Sequence, residues 1–181
     1  MTSYKYVIVG GGLAGGRAVG GIRQVDERGS IALVTQEPHP PYERPPLSKK
    51  YLRGEVGLNR VHVEERAYYD ENGVDLLMET RVTGLDPEAR VVTLGNDEEL
   101  HYEKLVLATG GHAFRLPLPG NEMENVFTLR TIEDSEGIRK AAGKGKHALI
   151  MGGSFIGSEV AASLRQFGTQ VTMIFPESRL L

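Results

Sequence analysis

A phosphate-cradling loop is written twice in this chain of 181 residues. The first copy reads Tyr6-Val-Ile-Val-Gly10-Gly-Gly12-Leu-Ala-Gly15, an apolar strand breaking into G-x-G-x-x-G and then a helical pattern. The second reads Ala148-Leu-Ile-Met-Gly152-Gly-Ser154-Phe-Ile-Gly157, again followed by a helical pattern. The first glycine of such a loop permits a sharp turn from strand into helix. The second lets the backbone approach a pyrophosphate with no Cβ in the way, and the third lets the helix pack close to the strand. The helix N-terminus then offers free N–H groups and a positive dipole end to the phosphates. Two such loops in one chain point to electrons passing between two dinucleotides.

The flanks strengthen both loops. Residues 6–9 read as a buried strand, 13 to about 25 as a helix and 31–35 as a second strand, apolar on both faces. Strand, helix, strand with the glycine loop at the first junction is a βαβ unit. Gly16, Gly20 and Gly21 weaken that helix, each by about 1 kcal/mol against Ala. They either let it pack tightly on a sheet or are simply tolerated. Glu37 and Glu177 follow Gly15 and Gly157 at the expected spacing of about 20 residues. A carboxylate there accepts hydrogen bonds from a ribose diol, or is a solvated loop charge. At Glu177 it also repels a 2′-phosphate, favouring NADH over NADPH. Ser154 departs from the pattern at the middle glycine: its hydroxymethyl group weakens or shifts dinucleotide binding, or is small enough to be accommodated.

Composition narrows the partners. Hydrophobic residues are 40% and charged residues 25%, ordinary for a globular protein, and the net charge of -3 suits neither nucleic acid nor an anionic membrane. No apolar run approaches the roughly 18 residues needed to span a bilayer. Residues 7–9 are too short for a signal-peptide core, so the cytoplasm is the expected location. There is no cysteine, which excludes disulfides, Cys-ligated metal, iron–sulfur clusters and a redox-active dithiol within this chain. The five histidines are dispersed and show no H-x-x-x-H spacing, so no metal site is expected. Ser48 and Ser154 lack a G-x-S-x-G context, which argues against a Ser–His hydrolase.

Between the loops, Pro38, Pro40, Pro41, Pro45 and Pro46 exclude a helix or central strand over 38–46. A stiff, ordered loop carrying Tyr42, Glu43 and Arg44 is expected, with a short helix over 47–52. Residues 64–72 read as helix. Short strands are expected at 74–78, 80–85, 90–94, 99–102 and 105–108, divided by Asp86-Pro87 and Gly95-Asn96-Asp97 turn signals. Leu116-Pro-Leu-Pro-Gly120 reads as an extended crossing and the domain boundary. A helix over 131–140, a strand over 148–151, a helix over 156–167 and a strand over 170–175 follow. Superposing the loops places Val9 on Met151, Gly15 on Gly157 and Glu37 on Glu177, an internal repeat. The expected fold is α/β: a Rossmann-like three-layer dinucleotide-binding fold with a small antiparallel β-meander, interrupted in its second Rossmann unit.

The combination VIVGGGLAG, QEPHPPYERPPLSK, LVLATGGHAFRLPLPG and GGSFIGSEVAASL with MIFPE resembles the FAD-dependent pyridine nucleotide oxidoreductases. It is most similar to the NADH-dependent ferredoxin reductases and to apoptosis-inducing factor. The resemblance covers essentially the whole chain, and the YERPPLSK segment is more specific than the glycine loops. It implies an FAD-binding domain over 1–118 and the start of an NAD-binding domain over 119–181. Gly10, Gly12, Leu13, Ala14 and Gly15 would hold the FAD pyrophosphate and Glu37 its ribose. Arg44 would lie over the adenine and phosphate part, and Val82 would contact adenine through its backbone. Ala108, Thr109 and Gly110 would close over the pyrophosphate, with Arg130 adding a contact. Lys49 would reach the flavin and Glu159 would pair with it, electrostatic support rather than proton chemistry. Gly153, Ser154, Phe155 and Ile156 would cradle NADH, with Glu177 on its ribose.

The implied activity takes hydride from NADH onto FAD and passes electrons singly to a ferredoxin-type iron–sulfur protein. Two other outcomes stay open: a nucleotide-binding fragment without turnover, and a redox-sensing flavoprotein resembling apoptosis-inducing factor. Members of the family continue beyond the equivalent of Leu181, returning to the FAD domain with a glycine–aspartate motif for the ribitol and then adding an interface domain. The expectation is therefore a truncated reading frame, a cloned fragment or a proteolytic remnant. Its exposed sheet edges invite a homo-oligomer.

Overall fold

A computed structural model describes residues 2–180. Leu181, to which the expectation of an interrupted chain is attached, lies outside the described residues. The chain forms two compact units, residues 2–43 with 62–111 and residues 44–61 with 112–180.

In the first unit, β1 (Thr2–Val9), α1 (Leu13–Arg23) and β2 (Ile31–Val34) form the βαβ element. They are followed by α2 (Arg66–Glu71), β3 (Val74–Leu77), β4 (Val82–Asp86), β5 (Val91–Leu94) and β6 (Glu99–Leu107). The sheet runs β3-β2-β1-β6-β5-β4. Its pairs from β3 to β6 are parallel and those of the β4-β5-β6 meander antiparallel. Both faces of β1 and β2 are buried, as their unbroken apolar runs require. Tyr6, Ile8, Ile31 and Leu33 meet Val19 of α1 and Tyr69 of α2 on one face. Val7, Val9, Ala32 and Val34 meet Val92, Leu94 and Leu100 of the meander on the other. Helices, parallel sheet and meander give the three-layer α/β arrangement expected. Each aliphatic side chain fully buried between the layers contributes about 1.5–3 kcal/mol.

Local differences have local causes. The two strands expected over 99–108 are one nine-residue strand. Its start pairs with β5 (Leu100↔Val92), and its whole length runs beside β1, from Thr2↔Leu100 to Val9↔Leu107. That pairing also extends β1 back to Thr2. Around the meander, Glu79 and Arg90 adopt positive φ (52° and 55°) like Asp97 (64°). Neither residue type advertises a turn, so strands β4 and β5 start later than their β-propensity predicts. The helix expected from residue 64 begins at Arg66, with Glu65 extended at its N-cap.

The second unit contains α3 (Ile132–Ala141), β7 (His147–Met151), α4 (Phe155–Gln166) and β8 (Gln170–Ile174). Strands β7 and β8 pair in parallel from His147↔Gln170 to Met151↔Ile174. Thr131 and Asp134 form a capping box at the start of α3. Residues 44–61 belong to this unit. Instead of the short helix expected over 47–52, a 3-10 turn spans Pro45–Ser48 and further turns continue to Gly54. Pro45 and Pro46 open that turn, where their fixed φ suits the first helical positions. Leu52 enters the core of Ile138, Val160 and Leu164. Two buried serines bind the turn to the helices: Ser135 Oγ donates to the Leu47 carbonyl and Ser163 Oγ to the Ser48 carbonyl, both at 2.8 Å.

Candidate functional site

The first glycine loop sits where β1 hands over to α1. Gly10 adopts φ +124°, and its N–H donates to the Val34 carbonyl at 2.9 Å. A Cβ there would fall inside the Ala108 carbonyl. A Cβ on Gly15 would fall inside the Gly10 carbonyl, so Gly15 is required for the close approach of helix to strand. Gly12 differs. Its backbone (φ -93°, ψ -171°) is open to any residue, and a Cβ on it would meet nothing within 4 Å. Neither conformation nor packing within the protein demands glycine at this position. What glycine leaves here is open space in front of the free N–H groups of the first turn of α1, a turn with no acidic residue. Leu13, half-exposed, and Ala14 continue that turn.

The other residues expected around this loop divide by contact. Ala108 closes against the loop, its N–H donating to the Val9 carbonyl at 2.8 Å, with exposed Thr109 and Gly110 following. Val82 opens β4 and packs on the core that includes Val9 and Val34. Glu37, half-buried beyond β2, is tied to the loop through Thr35, whose hydroxyl accepts from the Glu37 N–H at 3.3 Å. The Thr35 side chain also fills the space beside Gly11. Tyr42 Oη donates to Glu37 Oε2. The sequence pattern gives Tyr42 only as a residue of the ordered loop and Thr35 only as the end of a strand, with no site role for either. The only signal for them was a threonine at a strand end and an aromatic residue in a proline-rich loop.

The second unit repeats the loop in its own setting. Gly152 has φ +112° and its N–H donates to the Ile174 carbonyl at 2.9 Å, as Gly10 does to Val34. A Cβ on Gly157 would fall inside the Gly152 carbonyl, as one on Gly15 would with Gly10. A Cβ on Gly153 would run into the Phe175 side chain, as one on Gly11 would into Thr35. Ser154 is the N-cap of α4, exposed and making no side-chain cap hydrogen bond. Phe155 and Ile156 project beside it, 73% and 54% exposed. Glu177 lies exposed beyond β8.

Four further site candidates gather in this unit. Lys49 Nζ lies 2.7 Å from Glu159 Oε2 and 3.1 Å from the Pro45 carbonyl. Ser48 Oγ donates to the same Glu159 oxygen at 2.5 Å. Burial by itself pushes the Glu159 carboxyl up, but the hydrogen bonds from Lys49 and Ser48 and the ammonium charge outweigh it and hold the carboxyl below its ordinary value. Arg44 Nη1 donates to the Arg130 carbonyl at 2.6 Å, and Arg130 Nε is buried without a hydrogen-bond partner. A buried guanidinium donor of this kind suits an anionic group. Ser48 is the residue of this cluster that motif reasoning passed over.

The chain matches the family model described as pyridine nucleotide-disulphide oxidoreductase over residues 4–181. It is 38% identical, along its full length, to the 5,5′-dehydrodivanillate O-demethylase ferredoxin reductase subunit of Sphingobium sp. strain SYK-6, covering 44% of that protein. Over 97% of its length it is 36% identical to a rubredoxin-NAD(+) reductase of Pseudomonas putida, covering 46% of it. The covalent putidaredoxin reductase–putidaredoxin complex superposes with a TM-score of 0.93 at 34% identity, covering 100% of this chain and 44% of that one. The chain therefore spans less than half the length of the relatives it matches. A family match across nearly every residue, on a three-layer fold with two equivalent glycine loops, shows that the chain belongs to the pyridine nucleotide-disulphide oxidoreductase family.

Proposed function

We propose that this chain carries the FAD site and the NADH site of an oxidoreductase that passes electrons to a ferredoxin-type iron–sulfur protein. The observation that carries the reading is the open space at Gly12, where a Cβ would meet nothing within 4 Å directly in front of the first turn of α1. Residues 1–118 are assigned to FAD binding and 119–181 to the start of the NAD-binding domain. FAD held by these residues would supply the capacity to accept a hydride from NADH and to release electrons one at a time.

The chain's own residues bind and orient. Backbone N–H groups of Gly12, Leu13, Ala14 and Gly15 hold the FAD pyrophosphate, Ala108–Gly110 close over it, and Glu37 accepts from its ribose. Val82 meets the adenine, and Arg44 and Arg130 neutralise phosphate charge. Gly153, Ser154, Phe155 and Ile156 hold NADH, and the Glu177 charge disfavours a 2′-phosphate. Lys49, steadied by Glu159, supplies positive charge to the bound ring system. The reading places the protein in the cytoplasm, where NADH is supplied; among the described residues no helix is long and apolar enough to cross a membrane. The names of the similar proteins support an iron–sulfur acceptor. A visible spectrum followed by anaerobic NADH titration tests it: a flavin spectrum that bleaches is expected, and a bound flavin that NADH leaves unchanged would overturn it.

A second reading, nucleotide binding without turnover, is favoured by the outer face of the β7–β8 sheet. There Leu149, Met151 and Ile174 are each more than half exposed. The two edges of that sheet would then pair with a second copy. Concentration-dependent mass by light scattering, with no NADH-driven bleaching, is its signature.

A further inference from the structure

We propose that Asn72–Gly73 is a latent deamidation site, whose reaction the fold suppresses until the Arg23 guanidinium releases the peptide between the two residues.

Of the five asparagines in the chain, Asn72 alone precedes a glycine. Glycine carries no side chain to shield its own nitrogen, so that nitrogen can attack the amide of the preceding asparagine. The Gly73 nitrogen bonds to Asn72 Cγ, the Cγ–Nδ2 bond breaks, and the Gly73 amide proton leaves with Nδ2 as ammonia. Water then opens the five-membered imide at either carbonyl, giving an aspartyl or an isoaspartyl linkage. Nothing is oxidised or reduced, and water is the only co-reactant.

Each group the ring needs is engaged elsewhere in the folded chain. Asn72 is the C-cap of α2, with φ -93° and ψ 12°. At that ψ the Gly73 nitrogen lies nearly in line with the Asn72 backbone nitrogen, whereas ring closure needs it on the Cβ side. The Gly73 N–H donates to the Asp70 carbonyl at 3.0 Å. Asn72 Nδ2 donates to the Tyr68 carbonyl at 2.8 Å, which turns the side-chain amide back along the helix. Closing the ring requires rotation about ψ of Asn72, and that rotation swings the Asn72 carbonyl. Arg23 blocks it. Its Nε donates to the Asn72 carbonyl at 2.8 Å and its Nη2 to the Gly73 carbonyl at 3.3 Å. Its Nη1 is anchored in turn on the carbonyls of Asp26 and Gly29, at 3.0 and 2.8 Å. A planar guanidinium held on four carbonyls cannot follow one of them without giving up the others. Gly73 is exposed, so water reaches the site once the peptide turns.

The products do not fit the turn they come from. A new carboxylate stands at the C-terminus of α2, where the helix dipole disfavours negative charge. It can no longer donate to the Tyr68 carbonyl. An isoaspartyl linkage also adds a backbone atom just before β3, whose Val74 pairs with Ile31. At the far end of β3 the Leu77 carbonyl accepts from the Thr35 N–H at 2.9 Å, next to the first glycine loop. Modification therefore loosens the edge strand that supports that loop.

The test incubates the full chain in mildly alkaline buffer, native and in urea, and follows Asn72 by peptide mass mapping with isoaspartyl detection. In wild type the native rate should lie at least about tenfold below the urea rate, as for a reaction that waits on local opening. Arg23→Lys keeps the charge but loses the fork, and should raise the native rate several-fold. Asn96, exposed in the β5–β6 turn, should react at the same rate in both proteins and serves as the internal control. Circular dichroism checks that the variant folds. Should it not, hydrogen exchange of the Gly73 N–H in native wild type takes its place, and its protection should match the suppression of deamidation. A native wild-type rate equal to the urea rate would overturn the proposal. So would an unchanged rate in folded Arg23→Lys, or a Gly73 N–H that exchanges as fast as in a free peptide.

Discussion

Lys49 Nζ and Ser48 Oγ converge on one atom, Glu159 Oε2, at 2.7 and 2.5 Å. Consecutive residues of one turn thus address a single carboxylate oxygen on α4. One turn further along that helix, Ser163 Oγ donates back to the Ser48 carbonyl at 2.8 Å. Ser48 is therefore held through both its hydroxyl and its carbonyl, which fixes the register between the turn and the helix. The ammonium of Lys49 is placed by this arrangement rather than by the ion pair alone, whose members are 43% and 28% exposed and partly screened.

Ser48→Ala should raise the Glu159 carboxyl pKa toward its ordinary value of 4.5, because one of the two donors holding it down is removed. Carbon-13 NMR titration of the Glu159 carboxyl reads this directly. Since the folded-state value is depressed, the stabilisation it brings is present above the unfolded pKa and is lost as pH falls through the folded one. The difference in stability between wild type and Ser48→Ala that comes from this titration should therefore shrink on acidification below about pH 4.5. An unmoved Glu159 titration would separate Ser48 from the pair.

Gly12→Ala and Gly15→Ala should part company. Gly15→Ala drives a Cβ into the Gly10 carbonyl and should destabilise the cofactor-free chain by about 1–3 kcal/mol. Gly12→Ala meets nothing and should leave stability within about 0.5 kcal/mol, yet abolish or greatly weaken flavin binding. Urea denaturation gives the first quantity and flavin absorbance after purification the second. Retention of full flavin by Gly12→Ala would withdraw the dinucleotide from this loop.

Local chemistry made much of this legible, and tertiary contact hid the rest. The βαβ elements follow from apolar runs broken by glycine, and both loops fall where the spacing puts them because Gly10 and Gly152 need positive φ whatever surrounds them. The fusion of residues 99–107 into β6 was hidden because the charged pair Glu103-Lys104 interrupts the apolar pattern, while parallel pairing with β1 carries the strand through. The attachment of residues 44–61 to the second unit was equally invisible locally, since it depends on hydrogen bonds to helices far along the chain. One signal did exist. Ser135 stands between Ile132 and Ile138, and Ser163 beside Val160 and Leu164, polar residues at core positions of helices. A buried hydroxyl needs a partner, and the partners are the Leu47 and Ser48 carbonyls.

Those serines give a further prediction. Ser163→Ala leaves the buried Ser48 carbonyl without its donor and should cost about 1–3 kcal/mol, with Ser135→Ala costing a similar amount through Leu47. Because both act on one segment, their effects should be non-additive. Limited proteolysis should show earlier cleavage in the exposed stretch around Gly54 and Glu55 in the double variant than in either single one. Cleavage at the wild-type rate would mean that Leu52 in the core, not the hydroxyls, holds the segment.

The two loops differ at one decisive position, where Gly12 in the first is matched by Ser154 in the second, and exchanging these residues tests what the difference does. Ser154 caps α4 without a side-chain hydrogen bond, so Ser154→Gly forfeits no cap contact and should change stability by only a few tenths of a kcal/mol. Its hydroxymethyl group is exposed in front of the first turn of α4, the place where a nucleotide's phosphates approach most closely. Removing it should strengthen NADH binding by about 1 kcal/mol, roughly fivefold, in a fluorescence titration. The reciprocal Gly12→Ser should weaken FAD binding by at least as much while leaving the empty fold intact, since the open space beside Gly12 accepts a side chain only when no ligand occupies it. Weaker NADH binding in Ser154→Gly would mean that the serine hydroxyl donates to the phosphate instead. In that case the second loop would hold its nucleotide through a side chain where the first uses only backbone.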